Sequence, residues 1–215
     1  MIPLLGGRPR SILLLGAHSD DIEIGCGGTV LTLLARFPDL RVHWVVLSGA
    51  GERAGEARAG AAAFLADAKE PRVEVADFPD TAFPYEGATG LKAFFRELGR
   101  TCEPDLVFTH RRDDAHQDHR FVAELTWQTF RDHVILEYEI PKYEGDLGRP
   151  DTFVPLDRAV LDRKADAIVR TFASQAAKPW FSRETITALA RIRGNECRAG
   201  SGVAEGFHCA KMVLV

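Results

Sequence analysis

Short apolar runs recur along the chain and leave room for a helix between each run and the next. The first four are apolar almost throughout, which is typical of parallel strands that are covered on both faces. A fifth run has the same length and also favours a strand. The predicted strands span residues 11–16, 42–48, 72–77, 105–110 and 133–139.

The segments between the runs are rich in alanine or carry apolar residues at i, i+3 and i+4, the spacing of a helix that buries one face. Two more helices are predicted beyond a loop at 145–155 that is rich in Gly, Pro and Asp. The tail at 206–215 could add an edge strand. The predicted helices span residues 29–37, 53–69, 88–102, 157–172 and 183–193.

Alternating strands and helices favour repeated βαβ units. We therefore predict an α/β fold with a Rossmann-like, mostly parallel twisted sheet and helices on both faces. Residues 1–215 are expected to form a single domain, because no repeat, low-complexity segment or linker interrupts the pattern. Ligands of such sheets bind outside the carboxyl ends of the strands, so chemistry is expected at that edge.

Composition narrows the class of partner. The chain has 215 residues, of which 46% are hydrophobic, and a net charge of -4, so it lacks the basic stripe that nucleic acid attracts. No apolar stretch approaches the roughly 20 residues of a membrane span, and no signal peptide is recognisable. Four cysteines without CxxC spacing favour reduced thiols. We expect a cytoplasmic protein that acts on a small molecule; its oligomeric state stays open.

Two clusters of histidine and aspartate follow predicted strands. GAHSDDIE, at 16–23, follows the first strand, and HRRDDAHQDH, at 110–119, follows the fourth. Both fall on the edge where ligands are expected. Two independent segments that converge on one edge indicate a functional site more strongly than either does alone.

These residue types suit a hydrolytic zinc site, which takes three protein ligands from His and Asp or Glu and leaves one position for water. His18, Asp21 and His119 can supply that set, with one Zn²⁺ per chain or another divalent ion in its place. Asp20 is then free to take a proton from the attacking water and return it to a leaving amine. His116, if protonated, could stabilise the oxyanion of a tetrahedral intermediate.

Four neighbouring residues could support the site or the fold. Asp118 is expected to orient a histidine. Asp114 could do the same or cap the helix that follows. Glu23 could bind substrate or hold the loop through backbone amides, and His110 could touch the site or simply end its strand.

The segments GAHSDDIEIGCGGTV and HRRDDAHQDH resemble the two signature motifs of the LmbE/PIG-L deacetylase family, His-Pro-Asp-Asp and His-Pro-Asp-His. Ser19 and Gln117 stand where the family has proline, and neither replacement touches a reacting atom. The resemblance extends over nearly the whole chain. Its further segments are LSGAGERAGEAR at 47–58, FPD at 78–80, SQ at 174–175 and VAEGF at 203–207.

The resemblance implies a zinc-dependent enzyme that removes the N-acetyl group from an amino sugar of the N-acetylglucosamine type or from its conjugate. It places the metal on His18, Asp21 and His119, the general base on Asp20 and the electrophilic or acid role on His116. Two alternatives stay open, an amidohydrolase acting on a non-sugar amide and a non-catalytic sugar-binding protein. A nucleotide-cofactor enzyme is disfavoured, because GCGG at 25–28 lacks GxGxxG spacing and no acidic residue closes the second strand.

Side chains outside the motifs could form the pocket walls. EYEIPKYEGD, at 137–146, carries two tyrosines that could stack on a sugar face, and Trp180 could do the same. Arg53 could meet an anionic group of the substrate. Each of these residues could equally be structural.

Overall fold

The structure is a computed structural model that describes residues 8–212. Within that range, seven strands form one sheet and six α-helices cover it. The strands are β1 (Ser11–Gly16), β2 (Arg41–Val46), β3 (Arg72–Val75), β4 (Leu106–His110), β5 (Val134–Tyr138), β6 (Thr152–Pro155) and β7 (Ala204–His208). The helices are α1 (Asp21–Arg36), α2 (Gly51–Phe64), α3 (Ala88–Thr101), α4 (Gln117–Thr129), α5 (Arg158–Thr171) and α6 (Arg183–Glu196).

The strand order confirms the predicted α/β fold. The sheet runs β3-β2-β1-β4-β5-β7-β6, with the five strands from β3 to β5 parallel. The chain moves outward from β1 to β3 and then returns to place β4 on the other side of β1, where Ile12 pairs with Leu106 and Leu14 with Phe108. This reversal is a topological switch point, the usual place for a ligand crevice. Both motifs leave the sheet there.

Helix α1 begins at Asp21, whereas a helix from residue 29 was predicted. The stretch DIEIGCGG therefore forms the first two turns of this helix. Close packing explains the glycines: an added Cβ at Gly25 would run into the ring of Tyr138, and one at Gly27 would lie 2.5 Å from Phe64. Asp21 and Glu23 lie in the first turn, where the helix dipole favours negative charge.

The C-terminal half of the sheet differs from the prediction in two places. Residues 145–155, predicted to be a loop, include strand β6 at their end. The tail contributes β7, which is not an edge strand: it lies between β5 and β6 and is antiparallel to both. Strand β6 takes the edge because β7 pairs with it from Ala204 to Phe207. The last three residues of the predicted tail strand, 213–215, lie outside the described residues.

Two apolar layers cover the sheet, as predicted. One face buries alternate residues of β1, such as Ile12 and Leu14, under helices α1, α2, α5 and α6, and the other buries Leu13 and Leu15 under α3 and α4. All four cysteines are free thiols. Among the described helices, none combines the length and the apolar content that crossing a membrane requires.

The packing of α1 gives a stability prediction. Gly25→Ala is expected to lower the free energy of unfolding by roughly 1–3 kcal/mol, because the new methyl group overlaps the buried ring of Tyr138. Chemical denaturation measures the change. Gly55→Ala, in α2, is the matched control: no atom lies within 4 Å of its added Cβ, so a gain of about 0.5–1 kcal/mol is expected. Equal stability changes in the two variants would contradict this account of the GCGG segment.

Candidate metal centre

The first motif forms a tight turn between β1 and α1. The backbone N–H of His18 donates to Oδ2 of Asp21 at 2.6 Å, and the N–H of Ile24 donates to the carbonyl of Asp20 at 3.0 Å. The aspartate side chain thus closes the turn before the helix starts, a common use of this residue. As a result, His18 and the adjacent carboxylates of Asp20 and Asp21 are presented at the end of β1.

The second motif leads from β4 into α4. His116 caps the helix, since its Nδ1 accepts a hydrogen bond from the N–H of Asp118 at 3.3 Å. Asp118 and His119 then lie in the first turn of α4, and both are buried. Asp114, a candidate cap in the sequence, is not the capping residue. Because β1 and β4 are neighbours, this helix start faces the turn after β1.

The three predicted metal ligands converge on one point. Nδ1 of His18 lies 3.2 Å from Nε2 of His119 and 3.3 Å from Oδ2 of Asp21. Nε2 of His119 lies 3.5 Å from Oδ1 of Asp21. A tetrahedral zinc ion with bonds of about 2.0–2.1 Å separates its ligand atoms by about 3.3–3.4 Å. The three residues therefore fit a divalent ion of that size, with Asp21 turning Oδ2 to His18 and Oδ1 to His119.

The outer nitrogen of each of these histidines meets a carboxylate. Nε2 of His18 lies 3.3 Å from Oδ2 of Asp118 and 3.1 Å from Oδ1 of Asp80, and Nδ1 of His119 lies 3.1 Å from Oδ2 of Asp114. Such partners orient a metal-binding imidazole and raise its basicity. The arrangement agrees with the expected orienting role of Asp118 and favours the same role for Asp114.

The charges at this point favour a cation. Burial disfavours a proton on His18, but Asp21, Asp118 and Asp80 outweigh it and raise its pKa well above 6.5. Burial also opposes the charge of Asp21, yet the neighbouring histidines hold its pKa well below the usual value. Burial lowers the pKa of His119 to about 4, so this ring is neutral, the form that binds metals. The carboxylates that favour a proton on His18 would also attract a divalent cation.

Asp20 lies beside this cluster and pairs with an arginine. Its Oδ1 accepts a hydrogen bond from Nη2 of Arg53 at 2.9 Å, while Oδ2 accepts none from the described residues. Burial and the charge of Asp21 raise the pKa of Asp20, and Arg53 partly offsets that rise. Arg53 is thus engaged with Asp20, which agrees with the structural alternative left open for it in the sequence.

His116 lines the same pocket in a form that differs from the sequence expectation. Burial and the nearby His18 lower its pKa, which disfavours the protonated ring considered above. Because Nδ1 accepts the hydrogen bond from Asp118, the proton of the neutral ring belongs on Nε2. A neutral imidazole can still donate a hydrogen bond through that N–H.

The two residues that replace the family's prolines form hydrogen bonds to neighbouring loops. The hydroxyl of Ser19 donates to the carbonyl of Arg53 at 3.0 Å, and the amide of Gln117 donates to the carbonyl of Thr81 at 2.9 Å. Ser19 thereby links the first motif to α2, and Gln117 links the second motif to the loop after β3. Each turn is held by a side-chain contact where a proline would restrict the backbone.

Glu23 fits neither role considered for it. Its side chain is fully buried, lies against Gly60 of α2 and has no hydrogen-bond partner among the described residues. Burial raises its pKa well above the usual value. The side chain does not line the cavity that contains the motif residues.

His110 is more central than its sequence context indicated. The ring is fully buried and stacks on His119, with centroids 3.9 Å apart and planes 17° apart. Its Nε2 accepts from the N–H of Ala17 at 3.0 Å and lies 3.2 Å from Oδ2 of Asp21. His110, Asp21 and His119 could together hold a metal ion, as could His18, His116 and His119. The feature of the sequence that could have indicated this role is the position of His110 at the carboxyl end of β4.

A cavity of about 280 Å³ contains the cluster. This volume lies just below the range of about 300–1,000 Å³ typical of small-molecule sites. The motif residues line the cavity together with Arg53 and Asp80. A further part of the lining comes from the segment after β5 and from the turn between α5 and α6, which contribute Lys142, Tyr143, Glu144, Gln175, Lys178 and Trp180.

Solved structures with the same fold support this architecture. The conserved protein TT1542 from Thermus thermophilus is 21% identical with a TM-score of 0.74, and the match covers 96% of this chain and 97% of that one. GalB, the 4-carboxy-2-hydroxymuconate hydratase from Pseudomonas putida, is also 21% identical with a TM-score of 0.74, over 96% and 98% of the two chains. N,N′-diacetylchitobiose deacetylase from Pyrococcus horikoshii is 20% identical with a TM-score of 0.69, over 93% and 83%.

Sequence identities of 20–21% show that the fold is shared and no more. The family follows from a match to a family model. The model of the family PIG-L, described as GlcNAc-PI de-N-acetylase, matches residues 13–130. The match covers more than half of the chain and includes both motifs. The predicted family is therefore confirmed, and this chain belongs to the PIG-L (LmbE-like) family of de-N-acetylases.

Proposed function

We propose that this protein is a zinc-dependent N-deacetylase that acts on an N-acetylated amino sugar of the N-acetylglucosamine type or on its conjugate. The observation that carries the proposal is the convergence of His18, Asp21 and His119 at 3.2–3.5 Å, with Asp20 and His116 lining the same cavity. Membership of the PIG-L family supports the reaction class.

His18, Asp21 and His119 are the proposed metal ligands, and Asp114 and Asp118 hold the two imidazoles in orientation. Bound there, a zinc ion would supply Lewis acidity to the attacking water and to the acyl oxygen. Lys142 contacts Asp114 at 3.1 Å and thereby fixes the carboxylate that orients His119.

Asp20 is the proposed general base and acid. Because Arg53 occupies Oδ1, the proton of the attacking water goes to Oδ2. A raised pKa suits this role, since a protonated Asp20 is then accessible as an acid for the second half of the reaction. Arg53 fixes the carboxylate without a contact to the reacting atoms.

His116 is proposed to stabilise the negative charge that develops on the acyl oxygen. Its Nε2–H donates to that oxygen while Nδ1 stays fixed by the N–H of Asp118. In the proposed reaction, the water oxygen forms the new C–O bond and the amide C–N bond breaks. Asp20 delivers the proton that it took from water to the departing nitrogen. The products are acetate and a free amine.

The substrate class rests on the family and on the polar character of the pocket. Arg53, Asp80 and Gln175 present donors and acceptors for sugar hydroxyls. The diacetylchitobiose deacetylase has the same fold, and so does the hydratase, hence the fold by itself leaves both hydrolysis and hydration open. Metal ligands and a carboxylate base can serve hydrolysis and hydration alike. The two reactions must therefore be distinguished by their products.

The proposal is tested by acetate release from N-acetylglucosamine conjugates, with N-acetyl amino acids as non-sugar amides in the same panel. We expect one acetate per free amine, loss of release after chelation and recovery on adding Zn²⁺. Release from the amino acids alone would move the substrate outside sugars. Zinc bound at one ion per chain with no release from any amide would overturn the deacetylase and favour hydration of another substrate or a binding role.

A further inference from the structure

The segment after β5 forms a loop, residues 139–148, whose two ends are held by one arginine. Arg193 reaches both ends from α6. Its Nε and Nη2 each donate to a carboxylate oxygen of Glu139 at 2.8 Å, and Nη2 also donates to the carbonyl of Gly148 at 3.2 Å. The N–H of Gly148 donates to Oε1 of Glu139 at 3.0 Å. These three residues, which we call the clamp, close the loop.

The charged groups of the clamp are buried. Glu139 and Arg193 are each 4% exposed, and the guanidinium and the carboxylate meet through two parallel hydrogen bonds, which fix direction as well as charge. The remaining nitrogen of Arg193, Nη1, donates to both carboxylate oxygens of Glu196, which is 43% exposed and lies outside the loop. Because a buried charge is costly without its partner, the ion pair keeps the ends of the loop together.

The closed loop makes a second set of contacts, to the motif that follows β4. Nζ of Lys142 donates to both carboxylate oxygens of Asp146 at 2.7 Å and to Oδ2 of Asp114 at 3.1 Å. Oδ2 of Asp146 accepts a hydrogen bond from the N–H of Ala115 at 2.6 Å. The loop is therefore bonded to two adjacent residues of the second motif. One of them, Asp114, lies 3.1 Å from Nδ1 of His119.

Side-chain contacts determine the course of this loop. All of residues 139–148 are described, and none of them belongs to a helix or a strand. The backbone has no ladder of hydrogen bonds to fix it, so its shape depends on the clamp at its ends and on Lys142 and Asp146 between them. The clamp also lies outside residues 13–130, the range that the family model matches.

Resting on the proposed function, we infer that Glu139 and Arg193 are positioning residues of the metal centre. By closing the loop they hold Lys142 against Asp114, and Asp114 in turn fixes the imidazole of His119. Neither residue of the pair is part of the cavity lining within the described chain, so both act through the loop. With the loop open, Asp114 loses its cation and His119 loses its fixed orientation.

The test replaces both charges at once, in the double variant Glu139→Met with Arg193→Met, so that no unpaired charge is left in the core. Lys142 is the single trypsin site within residues 139–148. Cleavage after Lys142, followed by mass spectrometry, should become about tenfold faster because opening of the loop exposes it. Zinc affinity, measured by competition with a chelator, should fall about tenfold, the lower end of the effect of removing an orienting partner itself.

A double-mutant cycle tests whether the effect passes through Lys142. If it does, adding the two methionine replacements to Lys142→Met should lower zinc affinity no further than Lys142→Met does alone. Should the double variant fail to fold, Arg193→Lys keeps the charge but not the paired hydrogen bonds, and about threefold changes are expected in both readouts.

Two controls separate positioning from general stability. Glu196→Gln changes a partner of the same guanidinium outside the loop and should match the parent protein in both readouts. Leu98→Ala opens a cavity in the apolar layer under α3, away from the loop, and should lower the melting temperature while zinc affinity stays at the parent value.

Each outcome separates the clamp from the reaction. Unchanged zinc affinity in the clamp variants, an equal loss in Leu98→Ala, or additive effects with Lys142→Met would overturn the inference while the deacetylase stands. Neither readout needs turnover, so a parent protein that binds zinc and releases no acetate would count against the proposed reaction alone. A parent protein that binds no zinc would overturn both.

Discussion

Asp20→Asn is expected to lower kcat by about 10²- to 10⁴-fold while the protein keeps its metal, the size of effect typical of losing a general base. Asparagine preserves the shape of the side chain and can still accept the hydrogen bond from Arg53 at Oδ1. It cannot take a proton from water at neutral pH. The acceptor of the proton is therefore lost with little change in the geometry of the site.

The measurement combines steady-state acetate release with metal analysis per chain. Asp39→Asn serves as the control, because this exposed carboxylate only pairs with Lys69 and Arg8 at the surface. We expect that variant to match the parent protein in both readings. Near-normal turnover in Asp20→Asn would remove the base role from Asp20, and loss of the metal would mean that Asp20 belongs to the ligand set.

His119→Ala is expected to lose the metal and the activity together. Its Nε2 lies within 3.5 Å of donor atoms of His18 and Asp21, and its removal leaves two protein ligands. The loss of affinity should exceed the roughly 10–100-fold that removing an orienting partner of a ligand costs. Competition with a chelator of known affinity measures the metal affinity directly, without reference to turnover.

Because His119 is buried, the alanine variant leaves a cavity, and folding must be monitored separately. His119→Gln keeps more of the side-chain volume and should also bind zinc weakly. His133→Ala is the control, since this ring contacts Phe130 just before β5, at the end of the sheet opposite the metal centre, and should retain the parent affinity. One tightly bound zinc ion in folded His119→Gln and His119→Ala would exclude His119 from the ligand set.

The strands that carry the site were predictable because their signal is local. Strands β1 and β4 are buried on both faces, so their sequences are nearly continuous apolar runs. The polar clusters directly after them had to lie at the carboxyl edge, whatever the strand order. Their types and spacing also indicated the proposed ligand set and the proposed base before any distance was known.

The start of α1 and the place of β7 were not predictable in the same way. Each glycine in a helix lowers its stability by about 1 kcal/mol relative to alanine, so the GCGG segment by itself disfavours a helix. Contacts of Gly25 with Tyr138 and of Gly27 with Phe64 override that preference, and they join residues far apart in the chain. Strand β7 likewise takes its position from partners in β5 and β6 that no local pattern reveals.

The α/β class, the family and the residues at the strand ends follow from the chain alone, because hydrophobic period and motif spacing are properties of neighbours in the sequence. Folding was needed to show that β1 and β4 are adjacent, that their loops bring donor atoms within 3.5 Å, and that His110 stacks on His119. The contacts of Arg53 with Asp20 and of Tyr143 with Trp180 also appear only in the folded chain. Each of these is a contact between distant segments, and the free energy of burying the whole core selects it.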